Sequence, residues 1–244
     1  MVNVQETVLS NSGLKSLVRI GEGYHLEFKQ RVSSPIRLAR EAIAFANTWG
    51  GTILVGVGDD GALLGVKDVD EEIYDLERAL TSFSVPAITY SCRTVTVGTR
   101  REVLVIEIPE SKSKPHFLRD NGSESLEAYI RVEDQTVIAS PELVALMLSE
   151  GDHNGARFEF GDKELMLLRF LEEYHRVTVA QYARLADIPV ADASAVLVLL
   201  TRANILRIQP SPKEDVFVFR YHEEGPEAPS AERAFSRNGG DKYT

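Results

Sequence analysis

The sequence predicts an α+β protein in two parts. A mixed α/β domain spans residues 1–150, and a small helical domain with a strand pair spans 162–221. Three observations carry this reading. Apolar residues with strand period and with helix period alternate through the first 150 residues. The stretch GDHNGARFEFG, 151–161, has the Gly, Asp and Asn of a linker. After it, three helical patterns follow one another before a pair of strands.

In chain order, residues 6–20 read as a short helix or turn. Residues 24–29 (YHLEFK) alternate and predict a strand. Ser34 is a candidate N-cap with Pro35 at the first helical position, and Ile36, Ala39, Ile43 and Phe45/Ala46 give that helix an apolar face. Gly50 and Gly51 end it. TILVGVG, 52–58, is a continuous apolar strand; the turn DDG and the run ALLGV would complete a hairpin. Residues 69–83 predict an amphipathic helix, and 87–97 and 102–109 two alternating strands. Short strands around a Gly-containing loop follow, and then a helix over 141–148 opened by Ser140 and Pro141. Beyond the linker, DKELMLLRFLEEYH, TVAQYARLADIP and ADASAVLVLLTRANIL are helices, and ILRIQPSPKEDVFVFR is a strand pair around a Pro-containing turn. That order is the order of a winged helix-turn-helix domain. The tail, 222–244, is polar and rich in Pro, Gly and charge, and reads as disordered. No internal repeat is visible.

The totals restrict function. The chain of 244 residues is long enough for two modest cores. Its formal charge is −10 and its pI about 5.1, so no basic footprint covers the whole protein, and any nucleic-acid contact must rest on a local patch. Cys92 is the only cysteine, which excludes an internal disulfide and a cysteine-rich zinc site. The N-terminal residues lack the basic and apolar regions of a signal peptide. No apolar run is long enough for a membrane span. The cytoplasm is the expected compartment.

Gly56-Val57-Gly58-Asp59-Asp60-Gly61 fits a dinucleotide-binding fingerprint in letters only. A helix must open directly after that motif so that its N-terminus meets the pyrophosphate, and here a strand is expected. No P-loop pattern occurs, so no nucleotide cofactor is expected. The strand 24–29 is more informative. Leu26 and Phe28 share one face; His25, Glu27 and Lys29 share the other. A carboxylate and a lysine two positions apart suit a nuclease: the carboxylate holds a divalent cation and the lysine steadies a phosphate. A hard cation wants further oxygen ligands. Asp59, in the turn after the next strand, and Glu22, on the lead-in, are the candidates. Lys29, Arg31, Arg37 and Arg40 form one basic group, and Lys112, Lys114, His116, Arg119 and Arg131 a second, suited to a phosphate backbone. An E-x-K strand and a DDG turn are also common without any metal, and a single basic residue is usually part of a solvated face.

GEGYHLEFK, then REAIAFANTWGGTILVGVGDDGALLGV, resembles the Schlafen AlbA-type domain, once labelled a divergent AAA domain. KPHFLRDNG and AYIRVEDQTVIASPELVALM resemble later segments of the same family. The resemblance covers about 20–150, with the motifs in order. It implies an Alba-like α/β domain that binds nucleic acid, joined in many bacterial and archaeal members to a winged helix. In members with ribonuclease activity three carboxylates form the centre, and the matching positions here are Glu22, Glu27 and Asp59. The resemblance thus implies an endoribonuclease using Mn²⁺ or Mg²⁺ on structured RNA such as tRNA, with Lys29 near the scissile phosphate. Since animal members have two lobes, a homodimer would supply the second. The alternative is a non-catalytic regulator whose winged helix reads DNA. Its third helix has Arg202 as its only base, and residues 160–220 carry about as many acids as bases. That helix suits a dimer or protein contact as well as a major groove.

Overall fold

A computed structural model describes residues 10–120, 125–150 and 161–220. The chain divides into two compact units. The expected linker, apart from Gly161, and the expected disordered tail lie outside the described residues, as do residues 6–9 of the expected first helix.

The first unit is built on a four-stranded sheet of β1 (Leu26–Lys29), β2 (Gly51–Val55), β5 (Arg101–Ile108) and β4 (Ser91–Gly98), in that spatial order. β1 and β2 are parallel, with Glu27 opposite Ile53 and Lys29 opposite Val55. The other pairings are antiparallel. A parallel pair needs a crossover, and α2 (Pro35–Asn47) is that crossover. Alternation sorts the strand residues. Leu26, Phe28, Leu54, Val103 and Val105 share a core with Leu14 of α1 (Asn11–Ile20). Ile53, Val55, Leu104 and Ile106 face α2 and α3 (Val69–Phe83).

A second four-stranded sheet runs in the order β3 (Ser84–Val85), β6 (Phe117–Arg119), β7 (Leu126–Val132), β8 (Gln135–Ile138). Leu118 and Tyr129 join the core around α2, while Ala128, Ile130 and Val132 pack with Met147 of α4 (Pro141–Ser149). α2 is therefore enclosed between two sheets. This explains why Leu38, Ala39 and every residue from Ala42 to Asn47 are buried: a helix covered on both sides cannot keep a polar face. Its small alanines let both sheets approach. Asn47, buried at its end, donates to the carbonyls of His116 and Tyr129 and accepts from the His116 N–H, tying α2 to the second sheet. Gly50 then turns the chain into β2 at φ 73°; a Cβ there would meet Glu110 N and Ile108 O at 2.7 Å.

The expected hairpin after β2 is corrected. The chain turns back after Gly58, with the Gly58 N–H donating to the Ala62 carbonyl and the Leu64 N–H to that of Gly56, but residues 62–66 form isolated bridges, Val57 to Leu63 and Val66 to Glu102, and no strand. The antiparallel neighbour of β2 is β5. Gly56 and Gly65 both take positive φ, which interrupts extended backbone, and β5 offers Val103 to Ile106 as a fully buried partner.

The second unit holds α5 (Asp162–Tyr174), α6 (Val179–Ala186), α7 (Val190–Arg202) and the antiparallel pair β9 (Leu206–Gln209) and β10 (Val216–Phe219). Leu167, Leu171, Tyr182, Leu197, Leu200 and Phe217 form its separate core. Thr178 and Gln181 make a reciprocal capping box that starts α6. Among the described residues no helix is long and apolar enough to cross a membrane.

Candidate nucleic-acid interface

Glu27 lies on the α2-facing side of β1 and is buried, 7% exposed. It is fully paired. Lys29 Nζ contacts its Oε1, and Arg131 of β7 reaches its Oε2 at 2.7 Å. Arg131 is the hub. Its other terminal nitrogen donates to Glu41 Oε2 at 3.0 Å, and its Nε–H to the Gly23 carbonyl at 3.1 Å. Thr136 of β8 donates to the same Glu41 oxygen. Two carboxylates buried together would repel at severe cost; one guanidinium with its fork of donors neutralises both. Burial, then the nearby Glu27 charge, still hold the Glu41 carboxyl above its usual range, against the pull of Thr136, Lys29 and Arg131.

Glu22 and Asp59 do not join this network. β1 is an edge strand whose odd-numbered residues bond β2, so the Phe28 N–H points outward. Glu22 Oε1 accepts it at 2.9 Å, which satisfies that edge donor. Asp59 is exposed in the turn after β2. Among the described residues, no group of three or more His, Cys, Asp or Glu side chains is placed to hold a metal ion. The expected ligand set of Glu22, Glu27 and Asp59 is thus not assembled here. Glu27 is committed to two cations and Glu22 to the backbone, and these carboxylates as placed do not fit a shared divalent ion.

The basic residues divide sharply. Lys29, Arg31, Arg37 and Arg40 line one cavity of about 500 Å³, with Tyr129 and Thr136 in its wall. Arg31 and Arg37 are exposed. Arg40 stands over the Tyr129 ring, 5.5 Å from its centroid. Among the described residues Glu27, Glu41, Lys29 and Arg131 balance one another, whereas no ion pair engages Arg31, Arg37 or Arg40. The cavity also adjoins the start of α2, where Ser34 gives no side-chain cap, so the positive end of the helix dipole adds to the field.

The second basic group is corrected in part. Arg131 is buried in the carboxylate network. His116 is 2% exposed; one ring nitrogen meets the Pro86 carbonyl and the other Ser111 Oγ. Burial lowers its pKa, which opposes a charged, phosphate-binding ring. Lys114 bonds Glu110 and the Thr48 carbonyl. Each of these is held by contacts distant in sequence. Lys112 and Arg119 are exposed but do not line the cavity. Sequence reading missed Glu41, Tyr129 and Thr136. The available signal was Glu41 itself, a lone acid among the apolar residues of α2.

Residues 22–140 match the family Schlafen, AlbA_2. The match spans the whole of the carboxylate network and the basic cavity. Eight solved chains are similar to parts of this one, two of them as follows. One is a solution structure of the N-terminal domain of a RecG-related protein from Nitrosomonas europaea: 27% identity, covering 50% of this chain and 88% of that one, TM-score 0.38. The other is the crystal structure of the DIP2311 protein from Corynebacterium diphtheriae: 20% identity, covering 56% of this chain and 28% of that one, TM-score 0.35. No curated protein matches.

Proposed function

We propose that the first unit binds nucleic acid by its phosphate backbone, with Arg31, Arg37 and Arg40 as the contact group and structured RNA such as tRNA as the preferred partner. The observation that carries this is the cavity those three arginines line: among the described residues none of them makes an ion pair, while Glu41 in the same wall is held by Arg131. A guanidinium fork suits a phosphate, and each phosphate neutralised in this way releases counterions condensed on the nucleic acid. The match of residues 22–140 to Schlafen, AlbA_2 supports a nucleic-acid-related function for this region.

Binding is favoured over cleavage. A metal-dependent endoribonuclease acting through Glu22, Glu27 and Asp59 would require carboxylates that now serve Lys29, Arg131 and the Phe28 N–H to exchange those partners for a cation. The second unit is read as an interaction module, with homodimer formation as its role. α7 supports this over a DNA contact: Arg202 is its only basic residue, and the apolar Val190 at its start is 61% exposed.

Anisotropy with labelled tRNA and with duplex DNA tests the proposal. Wild-type protein should bind tRNA more tightly than duplex DNA, and Arg37→Glu should abolish both. Equal binding by Arg37→Glu, or no binding at low salt, would remove the basic cavity as a nucleic-acid site. tRNA incubated with Mn²⁺ should stay intact; cleavage that disappears in Glu27→Gln would restore the catalytic reading.

A further inference from the structure

We infer that the aromatic cluster of Tyr24, His25 and Trp49 is a stacking site for an unpaired base of the same nucleic acid; this rests on the binding reading above. The cluster lies where β1 begins and α2 has ended. Trp49 is 59% exposed and Tyr24 44% exposed, although each carries an apolar ring that burial would favour. They meet edge to face at 5.8 Å, and the His25 ring lies 6.3 Å from Trp49. His25 Nδ1 is 3.0 Å from the Gly50 carbonyl, which fixes the imidazole beside the indole. The rings are therefore held in place while Trp49 and Tyr24 remain open to solvent.

His25 and Trp49 also line a second cavity, of about 520 Å³, together with Ser91, Arg93 and Glu107 from β4 and β5. Arg93 pairs with Glu107 at 2.7 Å, and its buried Nε–H has no partner among the described residues. A cavity with an aromatic wall and both a carboxylate and a guanidinium inside can stack a base and meet its polar edge. A purely apolar protein contact would leave that pair without compensation. Position selects a base of the same strand. His25, just before β1, and Lys29, its last residue, are about 13 Å apart at about 3.3 Å per residue. About four nucleotides or fewer of single strand cover that span, since even a fully stacked strand advances about 3.4 Å per nucleotide. A strand whose phosphates occupy the arginine cavity can therefore place a neighbouring base on Trp49. A base inside a duplex cannot stack there, so single strands, loops and bulges are the class recognised.

Trp49 is the only tryptophan, so its fluorescence reports this site alone. The full chain is titrated with a short oligoadenylate, with an abasic strand of the same backbone, and with a base-paired duplex. The oligoadenylate should quench saturably; the abasic strand should bind more weakly and leave the emission unchanged. Trp49→Ala should lose about 5- to 100-fold in affinity for oligoadenylate, and Trp49→Phe should retain most of it. Since Trp49 is exposed, the variant's circular dichroism should match wild type. Full affinity in Trp49→Ala, while Arg37→Glu loses binding, would overturn the stacking site and leave the phosphate site standing. Full affinity with a shift from dimer to monomer in sedimentation would assign the cluster to self-association instead. No binding of any strand at low salt would overturn both readings.

Discussion

Arg131 carries the largest single-residue burden. Its side chain is 1% exposed and separates two carboxylates. Arg131→Leu should destabilise the fold by about 3–5 kcal/mol in urea unfolding, because Glu27 and Glu41 would remain buried without their cation. Glu41 gives a pH signature. Its folded pKa is raised, so between its unfolded value and that raised value the native state holds the extra proton, and stability falls as pH rises through the window. Glu41→Gln removes this dependence. The Tm of the variant minus that of wild type should therefore grow more positive from pH 4 to pH 7; a constant difference would show that Glu41 titrates normally. His116 acts in the opposite sense: its lowered pKa contributes stability above its unfolded value near 6.5, which is lost as pH falls through the folded value. Glu22 separates structure from catalysis. Glu22→Gln keeps an acceptor for the Phe28 N–H and should leave stability near wild type, while Glu22→Ala should lose about 1 kcal/mol. The pairing of Glu27 with Arg131 was not legible in the sequence, since the partners stand 104 positions apart and either could have been a surface charge. What was legible was the face: alternation put Glu27 and Lys29 together, away from Leu26 and Phe28.

At the scale of elements, local chemistry was the readable part. Pro35 at the start of α2 and Gly50-Gly51 after its end mark that helix in the sequence, and α3 matches its apolar period. The turn after β2 is legible but the strand expected over 62–66 is not formed, because strand pairing is decided by what covers an edge, and β5 lies about 50 residues away. Enclosure of α2 was also hidden; its alanines look like helix propensity until a sheet is seen on each side. Gly50 fixes how α2 hands over to β2 and so where Trp49 projects. Gly50→Ala should lose at least about 1–2 kcal/mol from the positive φ, with more from backbone contact at 2.7 Å. The loss should appear as a lower urea midpoint with unchanged slope. A neutral result would mean that the turn after α2 can relax.

The whole molecule is acidic, with a formal charge of −10, yet three arginines that make no ion pair among the described residues share one cavity. Net charge and local field thus have opposite signs, and that contrast makes salt dependence decisive: a distant acidic surface is screened within about a Debye length of roughly 8–10 Å, whereas direct phosphate contacts release counterions. The sequence marks Lys29, Arg31, Arg37 and Arg40 as one group, because they lie close together along the chain. It also offers Lys114, His116 and Arg131, in its second group, as phosphate contacts, because their burial depends on contacts made across the unit that the sequence does not display. The most direct test of the central claim is the affinity for a single-stranded RNA measured across salt concentrations, for wild type and for Arg31→Ala/Arg37→Ala. Three neutralised phosphates predict a slope of log affinity on log salt of about −2, falling toward about −0.7 in the double variant. Equal slopes for the two proteins would contradict phosphate binding in this cavity.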